Sequence, residues 1–379
     1  MLDNFFTNIN SDVFCYTKGS DLEKSRSKGK CVCHSNYFGA DCGIPGFIWK
    51  TEKNSKILPM KIRRRKYTRR LIYGLPLNHE FDLFETRMAM QASIVDVFIL
   101  HESNYTNSGK PKEPNFLNKF RQGWLKEHHS KFLYIIQDSF PEQGLTDGKI
   151  ADDYMRRHLG QTTFLKRFKE VKDDDLFIYN DGDELLRPEI LTFLKIYEGF
   201  TDPIGFKYRW SIFGFFWTVK FGSKLYKYID FESAAMTVGF FRDFYNYDAS
   251  LIRSGTFDKD NKKNRDMKVK YKLNGKRVEL FKCSDDAGWH CSYCFDPEGI
   301  RKKLLDAPLS DWPRWGDDPE KSSVKYIRTL IKNGQNFDGK FLRGVSGNVL
   351  TEDQDPEFAP KYMLKHREKF KYLLENPYS

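Results

Sequence analysis

The chain has 379 residues, of which 40% are hydrophobic and 30% charged, enough to bury one large core beside a small module and too apolar for disorder. Its 63 Lys and Arg exceed 52 Asp and Glu, a net charge of +11 that favours an anionic ligand without choosing among a nucleotide diphosphate, an acidic membrane face and nucleic acid. No run of about 18 apolar residues occurs, and the start "MLDNFFTNINSD" lacks the basic and apolar segments of a signal peptide.

Four of the seven cysteines (Cys15, Cys31, Cys33 and Cys42) lie in a polar, loop-rich amino-terminal stretch, a usage typical of oxidising compartments. This implies a sequence that begins downstream of a missing anchor or signal. The segment "CVCHSNYFGADC" resembles the carboxyl-terminal half of an EGF-like module. That resemblance implies Cys33 paired with Cys42 and, by default, Cys15 with Cys31; a zinc site is the alternative, with only His34 nearby to supplement the thiolates. Residues 1–45 are read as this stapled module and 46–68 as a linker running into the basic stretch Lys61 to Arg70, a solvated face.

From residue 69 the pattern becomes regular. "RRLIYGLPLN" reads as a strand, with Asn78 capping a helix over "HEFDLFETRMAMQ". "VDVFILHESN" and "KFLYIIQD" follow as strands, then a helix from about Lys149 to Val171 with Ile150, Tyr154 and Met155 on one side, then the strand "DLFIYNDGD". Continuous apolar runs alternating with helical patterns indicate an α/β domain with a mostly parallel sheet, whose ligands bind beyond the carboxyl ends of the strands. On that rim fall Asn78, Glu102, Asp138 and Asp181–Asp183. "KVKYKLNGKRVEL" alternates about Asn274-Gly275 and reads as a hairpin, and "PKYMLKHREKFKYLLENP" as one docked terminal helix presenting Met363, His366, Phe370, Leu373 and Leu374.

No Gly-x-Gly-x-x-Gly stretch, Walker loop or Gly-x-Ser-x-Gly elbow occurs, which disfavours dinucleotide sites, P-loop kinases and esterases. What remains is Asp181-Gly182-Asp183-Glu184 after a buried strand. Carboxylates this close repel one another unless a cation shares them; Mn²⁺ or Mg²⁺, which also hold a diphosphate, suit the pair. A glycoside hydrolase would need its two acids on either side of the sugar, which adjacent acids do not provide. His290 in "AGWHCSYCF" is either a core histidine or a further ligand, and Cys291 with Cys294 a redox pair, half a zinc site or a structural disulfide near Cys283.

"RRLIYGLPLNHEFDLFETR", "DVFILHESNYT", "DLFIYNDGDE", "AGWHCSYCF" and "PRWGD", in this order, resemble glycosyltransferase family 17, the bisecting N-acetylglucosaminyltransferases, from about Arg69 to Tyr378. The family's Asp-Ala-Asp-Glu is matched with Gly182 for Ala, and Asn180 stands where the family has Asp. The resemblance implies a GT-A-like domain over residues 69–379 that uses UDP-N-acetylglucosamine and Mn²⁺ to modify N-glycans, with no nucleic-acid partner, in the Golgi lumen. It further implies Asp181, Asp183 and His290 as metal ligands, Asp181, Asn78 and Glu102 at the donor, and an inverting displacement. Such a displacement needs a base, for which Asp317 is the first candidate and Asp286 the second. The alternative from a different class is a glycan-binding or adhesion protein with an inactive transferase-like domain. The sequon Asn104-Tyr105-Thr106 lies on the donor rim and is expected to be partly or not occupied.

Overall fold

Each apolar run becomes a strand: β1 (Leu71–Leu77), β2 (Val97–Ser103), β3 (Phe132–Gln137) and β4 (Leu176–Tyr179). Every residue of β1 and β4 is buried, so neither run alternates with polar residues. Five more strands complete the sheet: β5 (Glu184–Leu186), β6 (Asp202–Ile212), β7 (Gly214–Thr218), β8 (Tyr228–Thr237) and β9 (Val278–Ser292). The structure, a computed structural model, describes residues 4–54, 62–218, 228–253, 262–275, 278–306, 315–337, 352–353 and 355–378.

The strand order is β5-β9-β6-β8-β4-β1-β2-β3, with β7 hydrogen-bonded to β6. Strands β4, β1, β2 and β3 run parallel. The β4–β8, β8–β6, β6–β7 and β9–β5 pairs are antiparallel and β6–β9 is parallel, so the sheet is mixed, not mostly parallel. The expectation of a parallel sheet came from the first four strands, where helical crossovers are visible in the sequence; the later strands are joined antiparallel through pairings distant in sequence, which local pattern does not carry.

The main helices are α1 (Phe81–Gln91), α2 (Asn115–Arg121), α3 (Gly148–Gln161), α4 (Pro188–Ile196), α5 (Val238–Tyr245), α6 (Lys262–Leu273), α7 (Pro297–Asp306), α8 (Val324–Asn333), α9 (Lys361–Lys365) and α10 (Lys371–Leu374). Period-two alternation divides the sheet's side chains between two layers. Tyr73 and Ile178 pack with Phe84 of α1 and Phe193 of α4. Ile72 and Phe177 pack with Leu159 of α3 and Phe241 of α5 on the other side.

Several local expectations are corrected. The helix after β1 starts at Phe81 with Glu80 at its cap position, and Asn78 does not cap it. The helix expected over 149–171 ends at Gln161 and continues as a π-helical segment, Thr162–Arg167, with Ile150 exposed. Residues 46–54, read as linker, form a helix, and Arg63–Arg64 pairs with Tyr197–Glu198; residues 55–61 of that stretch lie outside the described residues. The stretch "KVKYKL" belongs to α6 rather than to a hairpin, and the terminal helix is broken into α9 and α10 with His366 exposed between them.

At the amino terminus Phe6–Asn10 pairs antiparallel with Val13–Tyr16, and disulfides join Cys15 to Cys31 and Cys33 to Cys42. Tyr197 Oη donates to Asp41 Oδ1 at 2.7 Å and ties this module to the end of α4. A third disulfide joins Cys291 to Cys294, leaving Cys283 as a buried free thiol. No described helix is long and apolar enough to cross a membrane.

Candidate active site

Beyond the carboxyl ends of β1, β2 and β4 lies a cavity of about 310 Å³, reached by Asn78, Asp181, Gly182 and Asp183, by His290 and Tyr293 at the end of β9, and by Lys303 and Asp306 of α7. Its floor is the turn from Asn180 to Glu184. Buried Asn180 accepts from Tyr73 Oη at 2.5 Å and donates to Glu184 Oε2 at 3.0 Å and to Tyr208 Oη at 2.7 Å. Glu184 Oε2 also accepts the backbone N–H of Asp181 at 3.0 Å, so Glu184 holds the turn's shape from beneath. Arg87, buried in α1, donates from Nη2 to the carbonyl oxygens of Asp181, Gly182 and Glu184 at 3.2, 3.2 and 2.7 Å. An isolated buried guanidinium would be costly; here the carbonyls of the acid turn satisfy it and are fixed by it.

The two aspartates meet cations. Arg156 Nη2 lies 3.7 Å from Asp181 Oδ2, and Tyr179 Oη donates to Asp181 Oδ1 at 3.2 Å. Lys303 Nζ donates to Asp183 Oδ2 at 3.3 Å. Pairing of β5 with β9 sets Glu184 opposite His290, which brings His290 Nε2 to 3.7 Å from Asp183 Oδ1. Ser292 Oγ lies 3.2 Å from the same imidazole nitrogen, while Nδ1 is buried without a hydrogen-bond partner among the described residues.

The fit to a divalent cation rests on donor type and on one spacing. Carboxylate oxygen and imidazole nitrogen suit Mn²⁺, and Asp183 with His290 faces inward as two ligands of one ion would. Asp181 is turned toward Arg156, and among the described residues no group of three acids, histidines or cysteines converges on a point. Asp183 and His290 thus offer two donors of suitable type, with Lys303 on Asp183 and Arg156 on Asp181 holding the carboxylates apart.

Residues 50–234, which span β1 to β7 and reach into β8, match the model of glycosyltransferase family 17. Over that stretch the chain is similar to this family. It is similar to proteins named beta-1,4-mannosyl-glycoprotein 4-beta-N-acetylglucosaminyltransferase. Identity to the one from Rattus norvegicus is 36% over 357 residues, covering 92% of this chain and 62% of that protein. For Mus musculus the identity is 35% over 373 residues, covering 95% and 65%, and for Homo sapiens 36% over 357 residues, covering 92% and 62%. The chain thus spans less than two thirds of the length of these relatives.

The residues singled out from sequence separate into two groups. Asn78, Asp181, Asp183 and His290 share the cavity, and Asn78 Oδ1 is buried without a partner among the described residues. Glu102 does not join them. Its two oxygens accept the N–H groups of Phe116 and Leu117 at 3.0 and 3.2 Å and Tyr134 Oη at 2.6 Å, so it caps the start of α2 from beneath.

Asp286 is also displaced from the cavity. Arg187 Nη2 and Arg209 Nη2 donate to it at 3.0 and 2.6 Å, and it faces a separate groove beside Tyr37 and Phe47. Burial alone would raise this carboxyl, but the two guanidiniums hold it below the usual carboxylate range and fully ionised. Asp317 sits exposed on a turn beside Trp315, away from the cavity lining; Asp311 to Arg314 of the same motif lie outside the described residues. The stretch "DPIGFKYRWSIFGFFW" forms the largely buried strands β6 and β7.

Sequence reasoning passed over Arg87, Arg156, Lys112 and Lys303. Arg87 and Arg156 lie inside predicted helices, where a basic residue usually faces solvent; no local signal marks either as buried. Lys303 is brought in by α7, more than a hundred residues after the acids, with Lys302 beside it as an equal candidate.

Proposed function

We propose that the chain is an inverting glycosyltransferase that moves N-acetylglucosamine from UDP-N-acetylglucosamine to the β-linked core mannose of N-glycans, and that its domain is GT-A-like. The observation that carries this reading is the acid turn Asp181-Gly182-Asp183 opening into a cavity at the carboxyl ends of parallel strands, with Lys112, Arg156 and Lys303 on its walls. Such a cavity suits a sugar linked to a diphosphate: cations meet the phosphates, and Asn78 and Ser103 offer neutral hydrogen-bonding groups at the strand ends. The names of the relatives supply the donor sugar and the linkage.

Asp181, Asp183 and His290 would hold Mn²⁺, which supplies Lewis-acid charge at the leaving diphosphate. Arg156 and Lys303, displaced from the aspartates as donor binds, swing their charge onto phosphate oxygens. The attacking hydroxyl must give its proton to a carboxylate within hydrogen-bond reach. Asp286 is spent on two arginines and Asp317 lies off the cavity. Among the acids that line it, Glu80 accepts the backbone N–H groups of Asn78 and His79 and the aspartates of the turn face Arg156 and Lys303; Asp306, whose partner at 2.5 Å is the solvent-exposed Lys302 of its own helix, is the carboxylate assigned to the proton. The secretory pathway and the Golgi lumen follow from the substrate class and the amino-terminal disulfides, which resemble an EGF-like module.

Incubating the protein with UDP-N-acetylglucosamine, Mn²⁺ and a panel of N-glycans tests the reading. One added N-acetylhexosamine, placed on the core mannose by fragmentation, is the expected product. Glycan binding that persists without UDP-sugar binding would support the adhesion reading instead.

A further inference from the structure

Lys112 differs from the other two cations of the cavity. Arg156 and Lys303 already face Asp181 and Asp183, whereas Lys112 Nζ is buried and has no hydrogen-bond partner among the described residues. Its position is built. The loop after β2 folds back so that Lys112 N–H donates to Asn104 O at 2.8 Å, Tyr105 bridges Pro111, and Asn107 N–H donates to Asp306 O of α7 at 3.0 Å. Asn107 Nδ2 also donates to Asp152 Oδ1 of α3 at 2.6 Å, so the loop is tied to both walls of the cavity. Burying an ammonium without a partner costs several kcal/mol, roughly the penalty estimated for an ion removed from water. The nearby carboxylates of Glu102, Asp306 and Glu80 attract it from a distance, yet burial outweighs them and lowers its proton affinity. A side chain held this way is poised for an anion.

We propose that Lys112 holds the diphosphate of the nucleoside diphosphate sugar, making its hydrogen bonds only when donor is bound. This rests on the donor reading above and adds the residue that recognises the phosphates. A charge-assisted hydrogen bond contributes roughly 1.5–3 kcal/mol, corresponding to about a 10- to 100-fold change in affinity.

Titration calorimetry of UDP and of uridine against the parent, Lys112→Met and Lys112→Arg, with and without Mn²⁺, tests it. The expected result is UDP binding at least about tenfold weaker in Lys112→Met, partial recovery in Lys112→Arg and unchanged uridine binding. Thermal melting of Lys112→Met should match or exceed the parent, because a buried ammonium without a partner has been removed. If Lys112→Met does not fold, Lys112→Gln carries the same comparison. Equal UDP affinity in a folded neutral variant overturns the role of Lys112 while leaving the donor reading intact. A parent that binds no UDP overturns the donor reading, and this inference with it.

Discussion

Arg87 Nη2 lies 2.7 Å from the carbonyl oxygen of Glu184, and through this contact a helix on one side of the sheet fixes the acid turn on the edge of the cavity. Arg87 Nη1 also donates to Tyr73 Oη at 2.8 Å, which in turn donates to Asn180. Lysine cannot reproduce this fork, so Arg87→Lys is expected to cost about 3 kcal/mol, as for other broken buried charge networks. Turnover per folded molecule should also fall, because Asp181 and Asp183 lose their common support. Melting curves and specific activity measured on the same sample check both parts; an unchanged kcat in a destabilised but folded protein would make Arg87 purely structural.

Asp286 gives the opposite split. Asp286→Ala leaves Arg187 and Arg209 buried with a shared partner removed, and unfolding should become easier by about 3 kcal/mol. The folded fraction at low temperature should keep near-parental turnover, since the carboxylate faces a different groove. A folded Asp286→Asn protein with turnover reduced about a thousandfold would restore it as base, that loss being the scale of general-base removal.

His101 is fully buried with Nε2 2.9 Å from His158 Nδ1. Burial, with the charges of His158 and Lys112 adding to it, pushes its pKa down to about 3, and burial also lowers His158. An unfolded histidine takes up its proton near about pH 6.5, while the folded His101 refuses it until about pH 3. Its contribution to stability is therefore complete above the unfolded value and lost as pH falls through this window. The loss approaches at most about 1.4 kcal/mol per pH unit for one proton. Denaturant melts from neutral to acid pH should show this slope, and His101→Gln should flatten it by about one proton; parallel profiles would place the titration elsewhere.

Asn104 carries the sequon on the cavity rim. Its Oδ1 is buried without a partner, its N–H donates to Gln137 O at 2.9 Å, and its neighbours Ser103, Tyr105 and Thr106 line the cavity. An attached glycan would crowd the donor. Mass spectrometry of active protein from a secreting animal cell should find Asn104 largely unmodified; full occupancy in active protein would contradict the placement of the donor.

Strands β1, β2 and β4 were legible because both of their faces are buried, so apolar runs such as "LFIY" mark them without ambiguity; β3, half-buried at the sheet edge, was legible from its apolar run alone. The acid turn was legible because it interrupts such a run. Helix α6 was not: Tyr271 is buried, Val269 and Leu273 are exposed, and the lysines between them leave no apolar stripe at helical spacing. Asn274-Gly275, read as a hairpin turn, follows the end of that helix, with Gly275 at φ +71°. Strand β9 as a continuous element was not legible, because the partners of its charged middle, Asp285-Asp286, come from other elements as Arg187, Arg209 and Lys207. The positions of Asp286 and Asp317 away from the cavity lining were illegible for the same reason: which carboxylates reach the cavity depends on long-range contacts that local pattern does not carry.

The central claim is that Asp181 and Asp183 form the catalytic floor of a sugar-nucleotide site. Transfer of N-acetylglucosamine from UDP-N-acetylglucosamine to an N-glycan acceptor, measured for the parent, Asp181→Asn and Asp183→Asn at saturating Mn²⁺, tests it most directly. Each substitution should lower turnover by at least about a hundredfold, the scale on which lost electrostatic stabilisation of a leaving group acts, with melting temperatures close to the parent. Near-parental turnover in either folded variant would contradict the assignment.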